Sequence, residues 1–137
     1  SALMSRVRQK GTAVELKVGA ALRECGAAYR VNVRGLPGSP DFANRTRRWA
    51  VFVHGCFWHH HTACKRATVP KSNEGFWRAK FVANRVRDAN SIRELRRGGF
   101  RVAIVWECEA DSPERLARKL SQVLEPRGVC VRQPIDH

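Results

Sequence analysis

The side chains best equipped for chemistry crowd into Val51-Phe-Val-His-Gly-Cys-Phe-Trp-His-His-His-Thr-Ala-Cys64. There an apolar run leads into four imidazoles, two thiols and two bulky aromatics within fourteen positions. That density exceeds what a solubilising loop needs and marks the stretch as a candidate site. Cys56, His61 and Cys64 supply three soft or borderline donors in one loop, and Cys108 follows a second apolar run. If the two runs are neighbouring strands, their ends bring Cys108 to the loop, and a Cys3His set of this kind suits a closed structural zinc centre. His54, His59 and His60 are further imidazoles, any of which could take the place of His61. A second chemistry needs a hard cation held by oxygen ligands and a group that moves protons. Asp41 is the Mg²⁺ ligand by type, with a strand carbonyl near Val53 as its companion. His54 and His59 are the acid and base candidates, because imidazole titrates near neutral pH, and Glu15 is of the type that orients a histidine. Each has a plainer alternative: a turn-forming contact for Asp41, a helix-capping role for Glu15 and a satisfied polar contact for His54.

These groups need a scaffold, and the pattern around them supplies one. Thr12-Ala-Val-Glu15 has capping-box spacing and opens a helix whose stripe of Val14, Val18, Ala21 and Leu22 ends at Gly26. Residues 28–33 alternate as a strand with Tyr29, Val31 and Val33 on one face. Leu36-Pro-Gly-Ser-Pro-Asp41 is a Pro/Gly turn, residues 44–48 a basic turn, and Trp49 to Val53 an apolar run that fits a central strand. A hairpin from Asp41 to His54 would set those two residues near each other. A long helix is expected from about Gly75 to Arg97, with Trp77, Phe81, Ile92 and Leu95 on its apolar side. Phe100 to Trp106 is a second apolar strand. Ser112-Pro113 opens a last helix through about Leu124, with Leu116, Leu120 and Leu124 inward. The order predicts an α/β fold on a mixed central sheet, in three α/β/α layers or in two. One domain spans 1–137, with a basic arm at 1–11 and a tail at 126–137. Trp49 and Trp106 are expected in the core, and Cys25 and Cys130 as ordinary thiols.

Lys and Arg number 26 against 12 Asp and Glu, a formal net charge of +14 with a sequence pI near 11.0. A surface this positive calls for a polyanion, and nucleic acid is favoured over membrane because no apolar run spans a bilayer. The odd cysteine count and the absence of a signal-like start point to a reducing cytoplasm. On the long helix Arg78, Lys80, Arg85 and Arg87 are placed to meet phosphates, which sets affinity and register without reading sequence. Phe57 and Trp58 stand in a polar loop, where large apolar rings need a use. The plainer alternative for these rings is core packing under the loop.

The segments Leu36-Pro-Gly-Ser-Pro-Asp41-Phe, Phe52-Val-His-Gly-Cys-Phe-Trp-His-His-His61, Phe76-Trp77 and Val105-Trp-Glu-Cys108 together resemble the very-short-patch-repair (Vsr) mismatch endonuclease family, in order from about Met4 to Cys108. The resemblance implies a restriction-endonuclease-like PD-(D/E)XK core. The implied enzyme nicks one strand of double-stranded DNA beside a T:G mismatch left by deamination of 5-methylcytosine. By the same resemblance Asp41 is the Mg²⁺-binding aspartate, His54 and His59 the catalytic histidines and Glu15 the supporting glutamate. Cys56, His61, Cys64 and Cys108 become the Zn²⁺ ligands, and the resemblance makes Phe57, Trp58 and Trp77 a wedge between base pairs, which unstacks DNA at a lower cost beside a mispair and so reads mispairing as deformability. A monomeric, nucleoid-associated bacterial protein follows, with mismatch-repair proteins as further partners. Two positions depart from the family pattern. Val53 stands where a threonine can precede His-Gly-Cys, so only its carbonyl can serve the metal, and the loop from His61 to Cys64 is one residue longer. Two other function classes fit parts of the pattern. A non-catalytic zinc-bearing DNA-binding protein would keep scaffold and wedge, whereas an RNA-binding module would fit the charge alone.

Overall fold

Six consecutive buried residues, Trp49–His54, form the strand on which every other element rests. The structure is a computed structural model that describes residues 13–124. The expected basic arm, the Thr12 cap, the tail and Cys130 lie outside those residues. In chain order the elements are helix α1 (Ala13–Glu24), strands β1 (Arg30–Val31), β2 (Phe42–Asn44) and β3 (Trp49–His54), helix α2 (Glu74–Arg97), strand β4 (Arg101–Trp106), a single 3-10 turn (Glu109–Asp111) and helix α3 (Pro113–Ser121).

The sheet order is β1-β2-β3-β4, with β1/β2 and β2/β3 antiparallel and β3/β4 parallel. The parallel pair requires a crossover, and α2 provides it. Successive side chains of β3 leave on opposite faces, so the apolar run serves two cores at once. Trp49, Val51 and Val53 join Ala103 and Val105 of β4 under α1 and α3, which contribute Val18, Leu22, Leu116 and Leu120. Ala50 and Phe52 join Val102 and Ile104 against Leu95 and Ile92 of α2. Each fully buried Val, Leu or Phe side chain among these is worth about 1.5–3 kcal/mol. The helices thus flank the sheet on both faces, which resolves the choice between two and three layers in favour of three.

Local chemistry sets the boundaries. Gly26 at φ 72 ends α1, with the Ala27 N–H donating to the Leu22 carbonyl. Pro113 starts α3 behind Ser112, whose Oγ accepts the Arg115 N–H. Two expected elements are shorter than the pattern suggested. The strand at 28–33 shrinks to Arg30–Val31 because Asn32 turns left-handed at φ 47, and Val31 is left 56% exposed. Helix α3 stops at Ser121 rather than Leu124, although Val123 and Leu124 stay buried. Cys25 is disulfide-bonded, which corrects the expectation of an ordinary thiol there.

Candidate active site and metal centre

The register of β3 on β4 puts His54 beside Trp106 and ends both strands at the same edge. Beyond the Phe42↔Val51 pair, β3 outruns β2, and the turn ahead of β2 fills the gap with Asp41. The Val53 N–H donates to Asp41 Oδ2 at 2.7 Å, and the carboxylate is only 4% exposed. Along a strand a residue's N–H and C=O point the same way and alternate with the next residue's. The His54 carbonyl accepts the Glu107 N–H on the β4 side at 2.9 Å, so the Val53 carbonyl faces the Asp41 side. A carboxylate and a carbonyl of the kinds a hard cation takes therefore share one edge.

The two candidate histidines lie against each other. Their rings stack in parallel, with centroids 3.7 Å apart and planes 3° from coincidence. Asp88 of α2 meets both: His59 Nδ1 is 2.6 Å from Asp88 Oδ2, a short charge-assisted contact, and His54 Nε2 is 3.9 Å from the same oxygen, too far for a hydrogen bond. A carboxylate has no proton to give, so the His59 Nδ1–H donates. That fixes the tautomer and leaves Nε2 as the nitrogen able to exchange a proton. Among the described residues, His54, His59 and Asp88 form one of two groups close enough to hold a metal ion.

The other group is Cys56, His61, Cys64 and Cys108, whose donor atoms all lie within 4.8 Å of one another. Cys56 Sγ is 3.7 Å and Cys108 Sγ 3.5 Å from His61 Nδ1. A tetrahedral zinc ion with ordinary bond lengths separates sulfur and nitrogen ligands by about 3.6 Å, so the four donors fit such an ion. Among the three neighbouring histidines, His61 is the one turned to the thiols. His59 turns to Asp88, and the His60 ring stacks on Phe81 at 4.4 Å. Around His61 the loop backbone turns left-handed at His60 and Ala63. Burial pushes the Cys56 thiol up to about 12 and raises Cys108 as well, while burial lowers His61. Backbone hydrogen bonding at Arg66 lowers Cys64. The neutral imidazole is the ligating form, whereas the buried thiols ionise readily only beside a cation.

The aromatics form a cluster at the start of α2. Phe57 contacts Trp58, Trp77 and Phe81 edge-on at 5.4, 5.8 and 5.4 Å, and Trp58 meets Trp77 at 6.2 Å. Phe57, Trp58 and Trp77 are half-buried. The Trp58 indole N–H is buried with no hydrogen-bond partner among the described residues. Helix α2 grips this loop from one face. The Asn84 Nδ2 donates to the Trp58 carbonyl and Arg85 to the His60 carbonyl, each at 2.8 Å.

Some cations of α2 are thus engaged within the protein as well as exposed. Arg78 pairs with Glu74 at 2.9 Å and Arg87 donates to Asn84 Oδ1 at 3.2 Å, while Lys80 is exposed. Glu15 sits half-buried in the first turn of α1. The sequence reading missed Asp88 and Asn84. Both fall at helical spacing from Phe81, so an acid and an amide on the apolar side of a basic helix were the available signal. Trp106, expected in the core, is half-buried and stacks on His61 at 4.1 Å with planes 6° apart.

Comparison with known proteins gives concordant similarities. The sequence model described as DNA mismatch endonuclease Vsr matches residues 1–66. The chain is 41% identical over 124 residues to the type II nicking enzyme V.XorIIP of Xanthomonas oryzae, covering 90% of each chain. It is 41% identical over 113 residues to the DNA mismatch endonuclease Vsr of Escherichia coli, covering 82% of this chain and 72% of that one. It is 37% identical over 127 residues to the type II nicking enzyme V.NmeAIP of Neisseria meningitidis, covering 90% of each.

Proposed function

The chain belongs to the Vsr family of DNA mismatch endonucleases and is a DNA endonuclease, and from that premise we propose that it nicks one strand of duplex DNA beside a T:G mismatch, as arises when 5-methylcytosine deaminates. The observation that carries this reading is the convergence at one strand edge of a buried Asp41 clamped to Val53 and a stacked His54–His59 pair braced by Asp88. The layered mixed sheet agrees with a restriction-endonuclease-like core.

In this reading Asp41 and the Val53 carbonyl hold Mg²⁺, with Glu15 in support. The cation, when bound, supplies Lewis-acid stabilisation of charge on the phosphate. Asp88 holds His59 through Nδ1, so His59 Nε2 takes the proton of the attacking water. His54 sits 3.7 Å away in the stack and serves the leaving oxygen. Cys56, His61, Cys64 and Cys108 hold Zn²⁺, which ties the loop to the end of β4. Phe57, Trp58 and Trp77 act as the wedge. Burying an indole N–H without a partner costs roughly 1–3 kcal/mol, a cost relieved when Trp58 leaves its packed position for the DNA. Arg78, Lys80, Arg85 and Arg87 contact backbone phosphates. The net charge of +14 supports DNA as the partner, and a nucleoid-associated monomer that meets other mismatch-repair proteins on DNA completes the reading.

Strand nicking of a labelled duplex with one T:G pair, beside a T:A control, tests the reading in Mg²⁺ and in chelator. Mg²⁺-dependent nicking of the mismatched duplex, lost in Asp41→Ala, is expected. Tight binding without a nick, unchanged by Asp41→Ala, would instead make the protein a recognition module.

A further inference from the structure

Trp106 belongs to the sheet by sequence and to neither proposed centre by type, yet its ring touches both. Its face lies parallel to His61 at 4.1 Å, and its plane stands at 79° to His54 and 76° to His59, with centroids 5.1 and 6.4 Å away. His54 and His59 are themselves parallel. One indole therefore fills the space between the imidazole of the cysteine–histidine set and the stacked pair. The His61 ring lies flat against the Trp106 ring, and the indole stands edge-on to the pair. The main chain beneath it is fixed independently. The Trp106 N–H donates to Glu109 Oε1 at 2.9 Å. That carboxylate is 12% exposed and held by Lys119 at 3.2 Å and Arg115 at 3.7 Å. Lys119 also donates to the Ile104 carbonyl, at 2.8 Å. With the backbone pinned on both sides of the strand end, the ring is the part that can respond.

We propose that Trp106 is a positioning residue that couples the state of the Cys56–His61–Cys64–Cys108 centre to the geometry of the His54–His59 pair, an inference that rests on that centre binding a metal and, for its effect on rate, on the nuclease reading. The centre is then more than a staple for the loop: emptying it loosens His61, the indole follows, and the pair loses its stacked alignment. Misplacing reacting groups by about 1 Å costs on the order of a hundredfold in rate.

The test uses the full chain as wild type, Trp106→Leu and Trp106→Phe. Histidine ring resonances of His54 and His59 are recorded at one fixed pH without Mg²⁺, before and after chelation of the centre, and steady-state nicking of the T:G duplex is measured with the centre loaded. In wild type, chelation is expected to shift both histidine signals, and in Trp106→Leu the shift is expected to vanish. Trp106→Leu should lower kcat about tenfold to a hundredfold with KM and duplex affinity within about twofold, and Trp106→Phe, which keeps an aromatic face, should recover most of the rate. Histidine signals that respond to chelation equally with and without the indole would overturn the coupling. A loss of melting temperature and duplex affinity in parallel with kcat would reduce Trp106 to core packing. If Trp106→Leu does not fold, Trp106→Phe must show an intermediate histidine shift for the proposal to stand. Failure of the wild type to nick would refute the nuclease reading and leave the resonance experiment legible.

Discussion

Replacing Gly38 by alanine tests how the turn that carries Asp41 is seated. A Cβ at position 38 would lie 2.7 Å from Ser91 Cβ, 2.9 Å from Ser91 Oγ and 3.1 Å from a Phe52 ring carbon, on backbone at φ +76. Two costs add. Holding alanine in left-handed backbone costs roughly 1–2 kcal/mol, and forcing a methyl against the helix costs roughly 1–3 kcal/mol, so the variant should lose about 2–5 kcal/mol. Ser91 is on α2 three residues after Asp88, so relief of the clash displaces one carboxylate relative to the other. Nicking, measured where the variant is still fully folded, should fall by more than about tenfold, since positional errors near 1 Å are that costly. The assay is urea unfolding of Gly38→Ala, Ser91→Gly and the double variant, with nicking of the T:G duplex in parallel. Ser91→Gly removes the two contacts below 3 Å and leaves the 3.1 Å approach to Phe52 and the backbone cost, so the double variant should regain about 1–2 kcal/mol over additivity. A Gly38→Ala chain within about 0.5 kcal/mol of wild type, or a double variant that is merely additive, would refute the seating argument.

Three further outcomes follow. Asp88→Asn keeps the size of the side chain and lets an amide N–H face His59 Nδ1, which favours the wrong tautomer; kcat should fall by about 10²–10⁴ with T:G duplex binding retained, and a loss of only a fewfold would remove Asp88 from the mechanism. Trp58→Ala should reduce the preference for mismatched over matched duplex in competition binding more than it reduces total affinity, and equal losses would count against the wedge. Burial pushes Cys56 from the ordinary thiol value of 9.0 up to about 12, so the metal-free unfolded chain ionises this thiol first. Stability of the chelated protein should be full below pH 9 and decline as pH rises towards 12. With the centre loaded the thiolates are bound and stability should instead fall on acidification; denaturation curves that move the same way with and without chelator would contradict this.

What the sequence disclosed was chiefly local. The donors from Cys56 to Cys64 sit within one loop, so their spacing alone marks them. A tight hairpin was enough to bring Asp41 to the end of Trp49–His54, where it meets Val53. Cys108 needed one long-range assumption, the pairing of two apolar runs, and β3 and β4 are indeed paired. Asp88 needed a harder one. It lies 29 residues from His59, on a helix whose many arginines mask its single inward acid. Its role exists only because α2 packs over one face of the sheet. Trp106 shows the same limit from the other side: an aromatic at the end of an apolar strand reads as core until the histidine loop folds over its face. The short β1 was hidden because a single left-handed Asn32 undoes an otherwise regular alternation.

The parallel pairing of β3 with β4 also governs what the unfinished chain exposes. Trp49 pairs with Arg101, so β3 has no neighbour on that side until the whole of α2 has been made and has crossed the sheet. In that interval Trp-Ala-Val-Phe-Val-His is a six-residue, largely apolar edge with no proline and no carboxylate, lysine or arginine, a composition that self-associates readily. Arg45, Arg47 and Arg48 come immediately before it. Like charges at the entrance to such a segment disfavour pairing of two nascent copies, so the basic turn, which in the finished protein joins two strands and sends Arg48 to the Gly98 carbonyl, also has the composition of a guard against aggregation.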